Sequence, residues 1–165
     1  MIIIEGPDGS GKSTLKNELV TKAGLIDMSL TKVDSIAERQ RRAMLPPEQT
    51  VGQITDRSYF LSELVYSKLL RGFDTPSTIW VPLYKNLYKD HLVIICTGRG
   101  IDTRKEYDND EVVWRKTQET KREAYRMYST IAKELNVMTY DFKRDKFAWV
   151  LDRVVNYVKA WDIYS

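Results

Sequence analysis

A short apolar run breaks without transition into a glycine-rich loop at MIIIEGPDGSGKSTL, residues 1–15. Residues 1–5 are too few for a buried helix and read as a buried strand ending at Gly6. Leu15, Leu19 and Val20 then recur at helical spacing, so Ser13 to Ala23 reads as a helix stopped by Gly24. Strand, tight loop and helix in immediate succession constrain the fold strongly. A helix that follows a buried strand at once belongs to a crossover unit, which pairs its strands in parallel.

The rest of the chain repeats the alternation. LIDMSL at 25–30 reads as a short strand, and Asp34 as the N-cap of a helix to about Ala43, closed by Pro46 and Pro47. TVGQIT at 50–55 reads as a strand ending at Asp56. Leu61, Leu64, Val65 and Leu69 mark a helix ended by Gly72, and Ile79 to Tyr88 another behind Pro76. HLVIICT at 91–97 is the clearest buried strand, broken by Thr97-Gly98-Arg99-Gly100. A polar, acidic loop is expected over 101–111, a long helix from Val112 to Leu135, a strand at 136–142 and a helix from Lys146 to Lys159. This pattern predicts an α/β fold, a sheet of about five parallel strands with helices on both faces, as one domain over 1–165. Ligands of such sheets bind at the carboxyl ends of the strands. Gly6 to Ser13, Asp34, Asp56, Arg57 and Arg99 all follow predicted strands and so gather at one edge.

Composition is that of a globular chain. Apolar residues make up 42% and charged residues 30% of 165, and no run approaches the roughly 18 apolar residues of a membrane span. No basic segment followed by an apolar stretch opens the chain, so no secretion signal is read and a cytoplasmic location is expected. The one cysteine, Cys96, lies inside LVIIC and reads as a buried apolar residue; with one histidine, His91, no zinc cluster forms. The net charge of +3 permits phosphate ligands without requiring a polynucleotide.

Gly6, Asp8, Gly9, Ser10, Gly11, Lys12, Ser13 and Thr14 carry the first chemistry. The fixed positions of G-x-x-x-x-G-K-[ST] are all met. Glycines let backbone N–H groups curl around phosphate oxygens, and the helix behind adds its positive end. Lys12 is placed for the outer phosphates of ATP and the Ser13 hydroxyl for magnesium. Asp56 can support that metal, and Arg57 can fork onto a phosphate with two hydrogen bonds.

EGPDGSGKST, then DRSYFLSELVY, then an Arg-rich segment behind a buried strand together resemble the thymidylate kinase-like branch of P-loop kinases, in the compact form found in phages and some bacteria. The resemblance covers most of the chain in the order of its elements and is specific over about thirty residues. It implies the P-loop kinase fold and transfer of the γ-phosphate of ATP to a (deoxy)nucleoside monophosphate. Lys12 would hold the donor phosphates, Ser13 and Asp56 the metal, and Arg57 the acceptor phosphate. Tyr59, Ser62 and Tyr66 fall on the helix that lines the acceptor pocket, where they read equally as ordinary helix residues.

One family segment is replaced. Where a Phe-x-Arg-Glu-Pro type stretch grips the acceptor nucleotide, this chain has SLTKVDSIAERQRR, residues 29–42, and Lys12 stands closer to Asp56 than is usual. A hydroxyl acceptor benefits from a carboxylate base. Asp34, with Arg39 on the next helix, is placed for that role, and RQRR for a nucleic-acid backbone. Asp34 as a plain cap and RQRR as solvated surface are the other readings. A kinase of a nucleoside or DNA hydroxyl therefore stays open, as does a nucleotide-binding regulator without transfer chemistry.

The segment 99–111 stands where small kinases carry a lid. Arg99 and Arg104 are its candidates for the transferring phosphoryl group, ahead of Arg115. Arg115 and Arg122, beside Glu111 and Glu119, read as salt-bridged helix surface. Asp141, Lys143 and Arg144 follow the last strand and could border the donor base. Trp149, Val150, Val154, Val155, Val158 and Trp161 read as core. A nucleotide or nucleoside acceptor is the expected partner; nucleic acid and a homodimer are left open, and no membrane partner is expected.

Overall fold

The computed structural model describes residues 1–31, 34–100 and 111–162, with the backbone alone over 111–117. Among them, five strands form one sheet: β1 Ile2–Glu5, β2 Ile26–Asp27, β3 Gln53–Asp56, β4 Leu92–Cys96 and β5 Met138–Tyr140. Their order is β2-β3-β1-β4-β5, and every pairing is parallel. The α-helices that connect and flank them are α1 Lys12–Ala23, α2 Ile36–Ala43, α3 Tyr59–Arg71, α4 Ser77–Tyr88, α5 Glu111–Leu135 and α6 Phe147–Asp162. The expected α/β fold is the one observed.

Strand periodicity sorts the core into two layers. Ile2 and Ile4 of β1, with Ile94 and Cys96 of β4, face Leu15 and Leu19 of α1 and Val150 and Val154 of α6. Ile3, Val93 and Ile95 face the other way, against Leu61 and Val65 of α3, Trp80 of α4 and Tyr128 and Ile131 of α5. Cys96 is fully buried, as its apolar neighbours imply.

Three readings are corrected. The second strand is two residues long rather than six: backbone bonding to β3 ends with the Met28 N–H on the Ile54 carbonyl, and the next bond to β3 is made by the Ser29 side chain. Ser35, not Asp34, caps α2, with its hydroxyl accepting from the Glu38 N–H at 3.1 Å. Trp149 is 45% exposed and lies outside the core, since it sits one position off the Val150–Val154 face of α6. Among the described residues, no helix is long and apolar enough to cross a membrane.

Candidate active site

Parallel pairing brings the chemically distinctive residues to the carboxyl edge. Ile4 pairs with Asp56 and Glu5 with Ile95, so the loops after β1, β3 and β4 leave the sheet side by side. The loop after β1 curls tightly, with Gly6, Gly9 and Gly11 at φ values of 144°, 76° and 86°. A Cβ on Gly6 would lie 2.5 Å from the Cys96 carbonyl oxygen, so only glycine fits there.

Lys12 is 6% exposed, and its ammonium donates to the Pro7 carbonyl at 2.8 Å and lies 3.9 Å from Asp8 Oδ1. Burial, then the nearby Arg57, hold its pKa below that of an ordinary lysine. A buried cation beside a second cation favours an anion between them. The Ser13 hydroxyl donates to Asp56 Oδ2 at 3.1 Å, while Asp56 Oδ1 is buried without a hydrogen-bond partner among the described residues. A hydroxyl bonded to a carboxylate whose other oxygen has no hydrogen-bond partner among the described residues fits a hard divalent cation. No cluster of three or more His, Cys, Asp or Glu among the described residues could hold a metal alone. Magnesium sites in general need no such cluster, since one or two carboxylates with phosphates and water suffice.

Arg57 takes the left-handed backbone conformation, φ 78°, with its N–H bonded to the Ile4 carbonyl at 2.8 Å. That strained turn aims its guanidinium at the glycine-rich loop, where it meets Asp8 Oδ1 at 2.5 Å and lies over the Tyr66 ring, 5.5 Å from its centroid. Lys12, Ser13, Thr14, Asp56 and Arg57 thus line one cleft of about 960 Å³. Tyr140, Phe142 and Phe147 close it on the β5 side.

Sequence reasoning does not single out Glu5. It ends β1 fully buried and accepts from the Ser58 N–H at 2.5 Å, the Ser62 hydroxyl at 3.0 Å and the Tyr128 hydroxyl at 3.0 Å. Burial raises its pKa. A carboxylate closing an otherwise apolar buried strand is the available signal. The Ser62 hydroxyl is therefore engaged in the interior rather than presented to an acceptor. Tyr59 lies with Met28, Leu30, Arg39 and Arg57 around a narrow crevice between α2 and the sheet.

Around α2, Asp34, Arg39, Arg41 and Arg42 bond largely to close neighbours in the chain. Asp34 Oδ2 accepts from the Thr31 N–H at 2.6 Å and its hydroxyl at 3.0 Å, and these bonds hold its pKa below the ordinary carboxylate range. Arg39 donates to the Asp34 and Thr31 carbonyls at 3.2 and 3.0 Å. Arg41 and Arg42 both bind Glu38, at 2.8 and 2.6 Å.

Behind β4, Arg99 stacks on Tyr125, 4.9 Å from the ring centroid, and the Gly100 N–H donates to the Gly9 carbonyl at 3.0 Å. Arg99, Lys121 and Arg122 line a cleft of about 140 Å³ against Asp8 and Gly9. Arg122, expected on a salt-bridged surface, thus borders the glycine-rich loop. Arg104 lies outside the described residues, and Arg115 within the stretch described by backbone alone. Asp141 is engaged by Arg144 at 2.8 Å and by the Lys143 N–H at 3.0 Å.

No protein-family model matches the chain. No curated protein sequence matches it either. Among solved structures it is similar to the YorR protein of Bacillus subtilis, crystallised in complex with phosphorylated GDP. The two are 17% identical, with a TM-score of 0.61 over 96% of this chain and 95% of that one. At that identity the likeness is one of fold.

Proposed function

We propose that this chain is an ATP- and magnesium-dependent kinase that transfers the γ-phosphate to a (deoxy)nucleoside monophosphate, in the manner of thymidylate kinase-like enzymes. The observation that carries the reading is Arg57, turned by a strained backbone onto Asp8 of the glycine-rich loop, one residue from the Ser13–Asp56 pair. A fork-shaped cation facing a triphosphate cradle suits an acceptor that brings its own phosphate. YorR, similar in fold, was crystallised with phosphorylated GDP, which supports a nucleotide ligand for this chain.

The residues divide the work. Backbone N–H groups of Gly9 to Ser13 and the Lys12 ammonium orient the donor phosphates. Ser13 and Asp56 would hold magnesium, which when bound neutralises charge building on the phosphate oxygens. Arg57 orients the acceptor phosphate. Arg99, with Lys121 and Arg122 beside it, supplies positive charge from the side opposite Asp56. Catalysis on this reading is positioning and charge stabilisation, and no base is required.

The hydroxyl-acceptor reading loses support at Asp34. That carboxylate is tied to Thr31 and made less basic by the tie, and three arginines of 39–42 are bound within their own segment. The test is ADP release with each acceptor class in turn. Stimulation by monophosphates supports the reading; stimulation by nucleosides or DNA ends alone would sink it.

A further inference from the structure

Asp56 ends β3 beside a partner strand that has already stopped. β2 reaches only Asp27, and its last backbone bond to β3 runs from the Met28 N–H to the Ile54 carbonyl at 2.8 Å. The Asp56 N–H points past that end, where no carbonyl of β2 can meet it. A side chain does so instead: the Ser29 hydroxyl oxygen accepts from it at 3.0 Å.

Ser29 is itself fixed. Its oxygen also accepts from the Lys16 ammonium at 3.0 Å, and its N–H donates to Asp27 Oδ1 at 2.9 Å. Lys16 completes the arrangement with an ion pair to Asp27 Oδ2 at 2.7 Å, its side chain only 11% exposed. Burial disfavours the Asp27 carboxylate, yet the hydrogen bonds from Lys16 and Ser29 outweigh it and hold its pKa below the ordinary range.

Ser13 and Lys16 stand one turn apart on α1, and residues at that spacing share a helix face. One face of α1 therefore grips Asp56 at two points. Ser13 binds its carboxylate directly, and Lys16 fixes its backbone through Ser29. The ring Ser13–Asp56–Ser29–Lys16 sets the spacing between the two atoms that would meet a metal.

We infer that Ser29, Lys16 and Asp27 are positioning residues that hold Asp56 in register with Ser13 for a divalent cation. The inference rests on the kinase reading above. Groups that orient metal ligands typically matter 10- to 100-fold in metal affinity, and a buried ammonium is otherwise an expensive way to tether a two-residue edge strand.

The experiment is calorimetric titration of ATP into the full chain, once with EDTA and once with excess Mn²⁺. The ratio of the two dissociation constants is the metal-dependent gain. Ser29→Ala should leave the EDTA value within about twofold of the parent and cut the gain about tenfold. Ser29→Thr, which keeps the hydroxyl, should restore it, and Lys16→Met should follow Ser29→Ala. Should Lys16→Met not fold, the Ser29 pair decides the question alone. An undiminished gain in Ser29→Ala overturns the inference, and so does equal loss with and without metal, which would mark a structural tether. A parent protein that gains nothing from Mn²⁺ overturns the kinase reading and this inference with it.

Discussion

The Arg57 guanidinium lies 2.5 Å from Asp8 Oδ1, joining the strand that carries the candidate metal carboxylate to the loop that would hold the donor phosphates. The contact depends on a backbone conformation that L-residues avoid, φ 78°. A non-glycine residue held there costs about 1–2 kcal/mol. Arg57→Gly should therefore keep or raise the melting temperature while abolishing phosphate transfer to the acceptor. Arg57→Ala should lose transfer equally but gain no stability. Thermal unfolding of both variants, with their rates of phosphate transfer to the acceptor, checks this. An Arg57→Gly variant both active and destabilised would show that the strained turn serves neither end.

Glu5 joins the end of β1 to α3 and α5 through Ser58, Ser62 and Tyr128. Truncating it takes the acceptor from the Ser58 N–H and the Tyr128 hydroxyl, both buried, and from the half-buried Ser62 hydroxyl. Glu5→Ala should destabilise the protein by on the order of 3 kcal/mol, and Tyr128→Phe by about 1 kcal/mol. Urea unfolding measures both. Equal, small losses would mean that the network is hydrated rather than closed.

His91 gives a pH signature. Burial pulls its pKa down to about 4 from an ordinary 6.5. The folded state thus resists protonation that the unfolded chain accepts. Its contribution to stability is present above pH 6.5 and is lost as pH falls from there towards about 4. His91 shares that window with the Met1 amino group, 3.2 Å from its ring, whose pKa burial pulls down from 8.0 to about 5, so replacing His91 isolates its share of the slope between about pH 6.5 and 5. The urea midpoint should fall across that window in the parent protein and fall less steeply in His91→Asn. A parallel fall in both would remove His91 as the cause.

These predictions draw on features of differing visibility in the sequence. Gly6 to Ser13, Asp56-Arg57 and Arg99 are legible because each follows an apolar run that stops abruptly, and parallel sheets align such ends. The limits of the edge strands are not. Asn136, at φ 54°, and the bonds around Asp141 cut β5 to three residues, and residue types alone do not show it. The true cap of α2 is within reach, since Ser35 and Glu38 have capping-box spacing. Ser29 and Glu5 are out of reach as partners. Ser29 meets Asp56 across 27 residues and Glu5 meets Tyr128 across 123, so no local pattern announces either bond.

The central claim is that Arg57 receives an acceptor that already carries a phosphate. It is tested most directly by the mass of the acceptor after incubation with ATP and magnesium. Nucleoside monophosphates, nucleosides and a 5′-hydroxyl oligonucleotide would share one tube. The account predicts that a monophosphate gains one phosphoryl group and that the gain vanishes in Arg57→Ala. Phosphate appearing on a nucleoside or on the oligonucleotide, with the monophosphates unchanged, would contradict it, as would no mass gain in any of the three.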